Sequence, residues 1–411
     1  MKKKFLFKAA LILLAIMLVV LIIVAIVRSN RGYIIKDGLI NATPKTEEKM
    51  DKLLAKKDDN MLIDLSLIDS RTGITIDDKA KRELLIIDGV GNSFNDLTIV
   101  TNAKKLCIRN ITIINTSSPV LNTVATSVEL SSTYFATKEN GATCVQLEAS
   151  SCELSIEYSA TIYGGNANQA EDGGSAIFAN RLSITTKNTK SAVLYLYGGK
   201  AGKGIDGNDG APVMDYDIST HYASFSSGRN GTNGRNGNPG SKGISSGIGG
   251  DALLCQGLSV SKKMYIYAYG GDSNVSGSGG NGSDGGNGEG AYTPNPIRFV
   301  SYVGGLGGNG SRGGNGADEK RPGVGINCAS AEISAESTVK TYAGKRGSAG
   351  KGGMGGQGGA GGFSSESSIT NNSAPTQSPS GSKGANGKDG NTLQESEIKS
   401  YIISSLNGKI N

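Results

Sequence analysis

Tryptophan is missing from the sequence and histidine occurs once, at His221. One histidine leaves little room for imidazole chemistry, and a lone one in a loop reads as a surface residue. Proline is scarce as well, 9 residues against 62 glycines, which excludes the proline-stiffened collagen triple helix despite the glycine content. The 5 cysteines are an odd number, and none stands in a CxxC or zinc spacing. They read as small buried hydrophobes, with a disulfide between successive repeats as the lesser alternative. A basic surplus is absent from most of the chain. Residues 1–60 hold 12 Lys/Arg and 6 Asp/Glu, so the remaining 30 of each cancel and the net +6 belongs to the N-terminus. That removes the electrostatic footprint of a nucleic-acid partner. No phosphate-binding G-x-x-x-x-G-K-[ST] loop occurs. A calcium nonapeptide begins at Gly279 but occurs once and has Gly286 where an apolar residue is needed, so no metal and no cofactor is expected.

One long apolar run is present. From Ala9 to Val27 the chain has no charge, and this length makes about 28 Å of helix, close to the thickness of a bilayer's hydrocarbon core. It is expected to be a transmembrane anchor (9–27) behind a basic tail (1–8). Lys2, Lys3, Lys4 and Lys8 outweigh Arg28 and Arg31, which holds the N-terminus in the cytoplasm and puts the C-terminal domain outside the cell membrane. A cleaved signal peptide is the rival reading; its apolar region is normally shorter and ends at small residues. Residues 28–61 are expected to form a stalk, with a short basic helix opened by Thr43 and Pro44. Asp77 and Asp78 read as the start of a helix ahead of Lys79.

Four segments, beginning at Leu147, Ile177, Leu253 and Ile326, share small or apolar residues at their first, third, sixth and eighth places. Each is two short alternating strands with a bend, and a third strand ends at Tyr163, Tyr197, Tyr269 or Tyr342. Three strands per repeat in register make the coil of a parallel β-helix, in which Ala149, Ala179, Cys255 and Cys328 share one ladder. The coil is expected to begin near Leu62 or Leu84. A capping box at Thr392, with Ile398, Tyr401, Ile402 and Leu406 on one face, predicts a C-terminal capping helix over 392–411.

Inserts interrupt the coil just after the tyrosine strand, at 198–251, 270–324 and 343–391. Each leaves through glycine-rich chain, crosses a glycine-poor tip and returns through glycine-rich chain. Glycine recurs every third residue on most legs, as at Gly228, Gly231, Gly234, Gly237, Gly240 and Gly243. Three residues per turn is the geometry of polyglycine II, whose backbone groups must pair with neighbouring legs. The fold class expected is therefore mainly β: a parallel β-helix solenoid carrying polyglycine-II hairpins, over 62–391. Flexible linkers are the alternative that composition allows.

These repeats resemble the right-handed parallel β-helix (pectate-lyase-like) superfamily. The glycine-rich legs with variable tips resemble the receptor-binding adhesins of T-even phage tails, and the leg sequence alone is similar to the snow flea type of antifreeze protein. The adhesin resemblance implies that tips choose the ligand. The matching positions here are Tyr216, His221, Tyr222 and Phe225 in the first tip and Tyr292, Arg298, Phe299 and Tyr302 in the second. Alternation along the third strand turns Tyr163, Tyr195, Tyr197, Tyr267, Tyr269 and Tyr342 outward, either as a sugar-stacking stripe or as the platform on which the legs rest. Catalysis lacks partners, because outward Glu148, Glu153 and Glu332 have no histidine near them. The expected function is adhesion to a glycan or cell-surface protein, without an enzyme activity. A wall or matrix spacer, an ice-binding protein and a polysaccharide-active enzyme are the alternatives.

Overall fold

The computed structural model describes residues 33–36, 38–55, 60–71, 73–188, 191–219, 221–222, 229–261, 263–293, 301–366 and 376–394. The anchor expected from Ala9 to Val27 lies outside them. No helix among the described residues is long and apolar enough to cross a membrane.

Apolar alternation builds a curled, mainly parallel sheet compatible with a β-helix. Along one face, strand Asn60–Asp64 pairs with 85–88, which pairs with 105–109, then 127–131, Cys152–Ile156, 182–185, 257–260 and 330–333. A second face runs through 111–115, 133–137, Ser159–Tyr163, Ala192–Tyr197, Met264–Tyr269 and Thr338–Tyr342. The third runs from Ile74–Asp78 through Leu97–Thr101, Leu121–Thr123 and Val145–Leu147 to 177–179, 253–255 and 326–328. Inward residues of all three faces, such as Ile87, Ile108, Leu194, Ile266, Ile99 and Leu121, are fully buried in one core. Residues Asn110 and Ser132, both at φ 52°, turn the corner between the first two faces in successive coils.

Four expectations need correction. The coil starts earlier than Leu62, because Leu39–Ala42 already pairs in parallel with Asn60–Asp64, after an antiparallel hairpin with Tyr33–Lys36. The expected stalk helix is shorter and is no stalk. Helix Glu47–Leu54 is capped by the Thr46 hydroxyl, which accepts from the Lys49 N–H at 3.3 Å. Its buried Met50, Leu53 and Leu54 recur at i, i+3 and i+4, a stripe that packs into the coil's core. Asp77 and Asp78 end a strand instead of starting a helix. Asp78 and Arg82 form a fully buried bidentate pair, with both contacts at 2.9 Å, and Arg82 also donates to the Leu54 carbonyl at 3.0 Å. Finally, Val145 and Leu147 face Ile177 and Ala179, so Leu147 and not Ala149 shares the ladder with Ala179 and Cys255. The corner between Leu147 and Cys152 is two residues longer than that between Ala179 and Leu182, where the register is regained.

At the C-terminus, Thr392–Gln394 carry no helix, and the rest of the expected capping helix lies outside the described residues.

Candidate functional site

Every insert leaves the coil at the same corner, after the tyrosine strand. Outgoing legs lie side by side. The N–H groups of Gly198, Ala201, Gly204, Gly207 and Gly210 donate at 2.7–2.9 Å to Tyr269, Asp272, Val275, Ser278 and Asn281 of the next outgoing leg. That leg repeats the pattern onto the third, with Gly279, Gly282, Gly285 and Gly288 each donating at 2.8 Å. Returning legs form a second layer in the same manner, as from Gly231, Gly234 and Gly237 to Val303, Leu306 and Asn309. A second row of glycine amides ties the layers together. Gly277, Gly280 and Gly286 donate to Ile244, Ser241 and Arg235, and Gly350 and Gly353 to Ala317 and Gly314. The legs are thus ordered and pair at every third residue, as three-residue turns require.

A third row of N–H groups points outward, where no leg follows on that side. Carboxylate and amide side chains cover it. Asp206 and Asp209 accept from the Ser278 and Asn281 N–H at 2.7 and 2.6 Å, and Asn281 and Asp284 accept from Met354 and Gln357 at 2.8 and 2.6 Å. In the returning layer Asn233 and Asn236 do the same for Leu306 and Asn309, then Asn309 and Asn315 for Ser382 and Lys388. Each leg therefore carries the acceptors that the following leg needs. The last outgoing leg has Lys345, Ser348, Lys351, Met354 and Gln357 in that row, none of them Asp or Asn. Its own Gly352 and Gly355 N–H groups donate instead to Asp389 and Asn386.

Glycine density reports how many neighbours a leg has. A Cβ on Gly279 or Gly280 of the middle hairpin would lie 2.0 Å from the carbonyl oxygen of Gly314 or Asn208, so two rows of that leg must be glycine. A short insert, residues 164–176, follows Tyr163, and in the first hairpin Gly202 and Gly247 face it, against Asn168 and Glu171. Beyond the end of that insert the equivalent places are Ile205 and Ile244, which are exposed.

The tips gather at the far end. The Gly290 N–H donates to the Asp217 carbonyl at 2.8 Å, Phe363 to Ile218 at 2.9 Å, and Ala291 to Phe363 at 2.9 Å. His221–Tyr222 pairs in parallel with Tyr292–Thr293, and Ser301–Tyr302 pairs antiparallel with Ser365–Glu366. So the backbone brings His221, Tyr222 and Tyr292 together and ties Tyr302 to the third tip. Tyr216 is half-buried and its N–H reaches the Asn287 carbonyl at 3.4 Å. Phe225, Arg298 and Phe299 lie outside the described residues.

One group at the tips escaped sequence reasoning. The Arg229 guanidinium lies 4.1 Å above the Tyr292 ring centroid and pairs with Glu289 at 2.8 Å. Hydrogen bonding to Tyr292, followed by the charge of Glu289, raises Arg229 above its ordinary value. Burial pushes the Glu289 carboxyl up, but Thr232, Tyr292 and Arg229 outweigh it and hold the group below the usual carboxylate range. The Thr232 hydroxyl donates to Glu289 at 2.6 Å and its N–H at 3.1 Å.

The tyrosine stripe exists and faces outward, with Ala160, Ile162, Leu194, Leu196, Ile266 and Ala268 buried between its members. Tyr163, Tyr197, Tyr269 and Tyr342 stand in register, with ring centroids 4.3, 4.9 and 4.7 Å apart and planes within 7°. Tyr195 stacks on Tyr267 at 5.2 Å, and Tyr134 extends the first stack at 5.5 Å. Each inner ring therefore spends its faces on its neighbours and offers solvent an edge and a hydroxyl. Tyr342, at the end, keeps one face uncovered by another tyrosine of the stripe, and it is 44% exposed. Burial raises the phenols of Tyr163, Tyr197 and Tyr269.

Elsewhere the chemistry is sparse. A shallow cavity of 680 Å³ beside helix Glu47–Leu54 is lined by Glu47, Asp51, Thr75, Asp77, Lys79 and Lys81 among others. Glu47 already accepts from the Thr75 N–H at 3.1 Å and Lys79 pairs with Asp77 at 3.0 Å. Burial pushes the Cys107 thiol up to about 11 and those of Cys144 and Cys152 to about 12, which leaves them protonated and inert. Among the described residues no group of His, Cys, Asp and Glu is placed to hold a metal ion. Glu148, Glu153 and Glu332 are exposed, as expected. Set against family models, curated proteins and solved structures, the chain matches none of them.

Proposed function

We propose that this is a surface-display protein, anchored in the cell membrane by Ala9 to Val27, that binds a glycan or a cell-surface protein through the tips of its glycine-rich hairpins. The observation that supports it is the convergence of the tips. Three segments far apart in sequence pair with one another at the distal end of legs whose amides are satisfied by neighbouring legs. Rigidity without an apolar core holds binding residues at a fixed distance from the coil, and legs of this length reach about 40 Å or more. Preorganised tips lower the ordering cost of binding. Adhesion by this route needs no covalent chemistry.

The spacer reading has one observation of its own in its favour. The tyrosine rings stack on one another instead of presenting their faces, which suits a platform better than a sugar site. The full chain in detergent micelles, applied to glycan arrays and to cells, distinguishes the two. Adhesion predicts a signal that falls at least tenfold when Tyr216, Tyr222, Tyr292 and Tyr302 are replaced by serine. A signal on neither surface, or one indifferent to those changes, leaves the spacer.

A further inference from the structure

The core holds one pair of thiols that face each other across neighbouring coils. Cys255 and Cys328 are direct partners on neighbouring parallel strands, in the column that also holds Ala179. Neither is in a disulfide, and both are buried, at 7% and 3% exposure. Hydrogen bonding between the two side chains raises the Cys255 thiol above its ordinary value and lowers that of Cys328. Among the described cysteines no other two face each other in register: Cys107 faces Ile86 and Glu129, and Cys152 faces Leu182. Neighbouring strands stand about 4.8 Å apart, inside the Cα separation of about 4.4–6.8 Å that a disulfide spans. The site also lies where the coil opens most easily. Among the described residues strand Ile326–Ile333 is the last of its ladder, and its second half is more exposed than the same half of Leu253–Val260.

We propose that Cys255 and Cys328 form a redox-sensitive staple, a disulfide that fastens the last rung of the coil to the one before it. The oxidant is a low-molecular-weight disulfide, RSSR. As the last strand frays, the Cys328 thiolate attacks one sulfur of RSSR; an S–S bond breaks and one RSH leaves with the proton Cys328 gave up. The Cys255 thiol then loses its proton and attacks the sulfur of Cys328 in the mixed disulfide, and a second RSH leaves. Two protein thiols are oxidised by two electrons and one RSSR is reduced to two RSH. Cys328 stands on the strand that pairs on one side only, so it is the first of the two thiols that fraying exposes, and this sets the order of the two steps.

The test uses the full chain incubated with oxidised glutathione, then denatured, alkylated and mapped by mass spectrometry. Free thiols should fall by two from the initial five. One peptide should link Cys255 to Cys328, and the coil's thermal midpoint should rise by about 2 °C or more and return on reduction. In Cys255→Ala and Cys328→Ala chains that redox-dependent shift should vanish, whatever their starting stability. Five thiols remaining after exhaustive incubation, glutathione left attached to either cysteine, or a link that joins another pair would overturn the proposal.

Discussion

Leu194 and Gly280 do the same job in two regions built on different physics. In the coil, Leu194 is fully buried, in register between Ala160 and Ile266, and its contribution is apolar area removed from water. In the leg bundle, Gly280 contributes no side chain at all. It allows the Asn208 carbonyl to come within 2.0 Å of where its Cβ would be and frees its own N–H to pair with Ser241. The coil suffers from atoms lost, which leave a cavity; the facing rows of the bundle suffer from atoms added. One chain joins both, so substitutions of opposite kind should separate them.

The largest effect is expected in the coil. Arg82→Leu leaves Asp78 charged and buried with only the Thr101 hydroxyl, at 3.0 Å, and nearby backbone to satisfy it. The cost should be about 3–5 kcal/mol, read as a lowered denaturant midpoint. Joint replacement of Asp78 and Arg82 by apolar residues should recover much of that loss, because the uncompensated charge goes with them. Leu194→Ala should follow at about 2–5 kcal/mol from lost burial and the residual cavity. If either change instead loosened only the legs, the division between coil and bundle would be wrong.

In the bundle the informative substitution adds a methyl group. Gly280→Ala places a Cβ against a backbone carbonyl that cannot rotate away, so the legs around it should separate. Trypsin should then cut at Lys203 or Arg235, while the coil's thermal midpoint stays within about 1 °C. Ile205→Ala, where the side chain is exposed beyond the end of the short insert, should change neither reading by more than about 0.5 kcal/mol. Equal damage from both would show that glycine density does not follow neighbour number.

The outward rows predict a smaller effect. Asn281→Ala removes the acceptor of the Met354 N–H, which is exposed enough for water to replace it. About 0.5–1 kcal/mol of local stability should be lost, measured as faster amide exchange at Met354 and its neighbours.

These contrasts also explain which parts could be read from the sequence. Tyr163, Tyr197, Tyr269 and Tyr342 recur at matching places in the repeats, and stacking in register is what such recurrence means for a solenoid. The three-residue glycine period likewise translated directly into paired legs. What went unread depends on distant partners. Asp78 looked like a local helix start because its pairing with Arg82, four residues on, makes sense only once Arg82 is buried and donates to the Leu54 carbonyl, 28 residues away. Helix Glu47–Leu54 looked like a stalk because its charged residues outnumber its apolar ones, although Met50, Leu53 and Leu54 share one face. Ala149 imitated Ala179 closely enough to hide a corner two residues longer. The Asp and Asn residues before each glycine, such as Asn230, Asn233 and Asn236, were visible but had no assigned purpose. Their purpose lies one leg away, on Val303, Leu306 and Asn309.

The smallest expected effect is a pH response confined to the tips. Glu289 has a folded value below its unfolded one, so its stabilisation is complete above the ordinary carboxylate value and is lost as pH falls through the lower folded value. Protonation removes its pairing with Arg229 and weakens its acceptance from Thr232, the brace that holds the second tip against the returning leg of the first. Amide exchange at Thr232 and Tyr292, corrected for intrinsic rates, should therefore accelerate below about pH 4 while exchange in Ala192–Tyr197 does not. In a Glu289→Gln chain the step should disappear, with exchange fast at both pH values. A step of equal size in coil and tips, or one that survives Glu289→Gln, would mean that the tips share the coil's stability and are not separately braced.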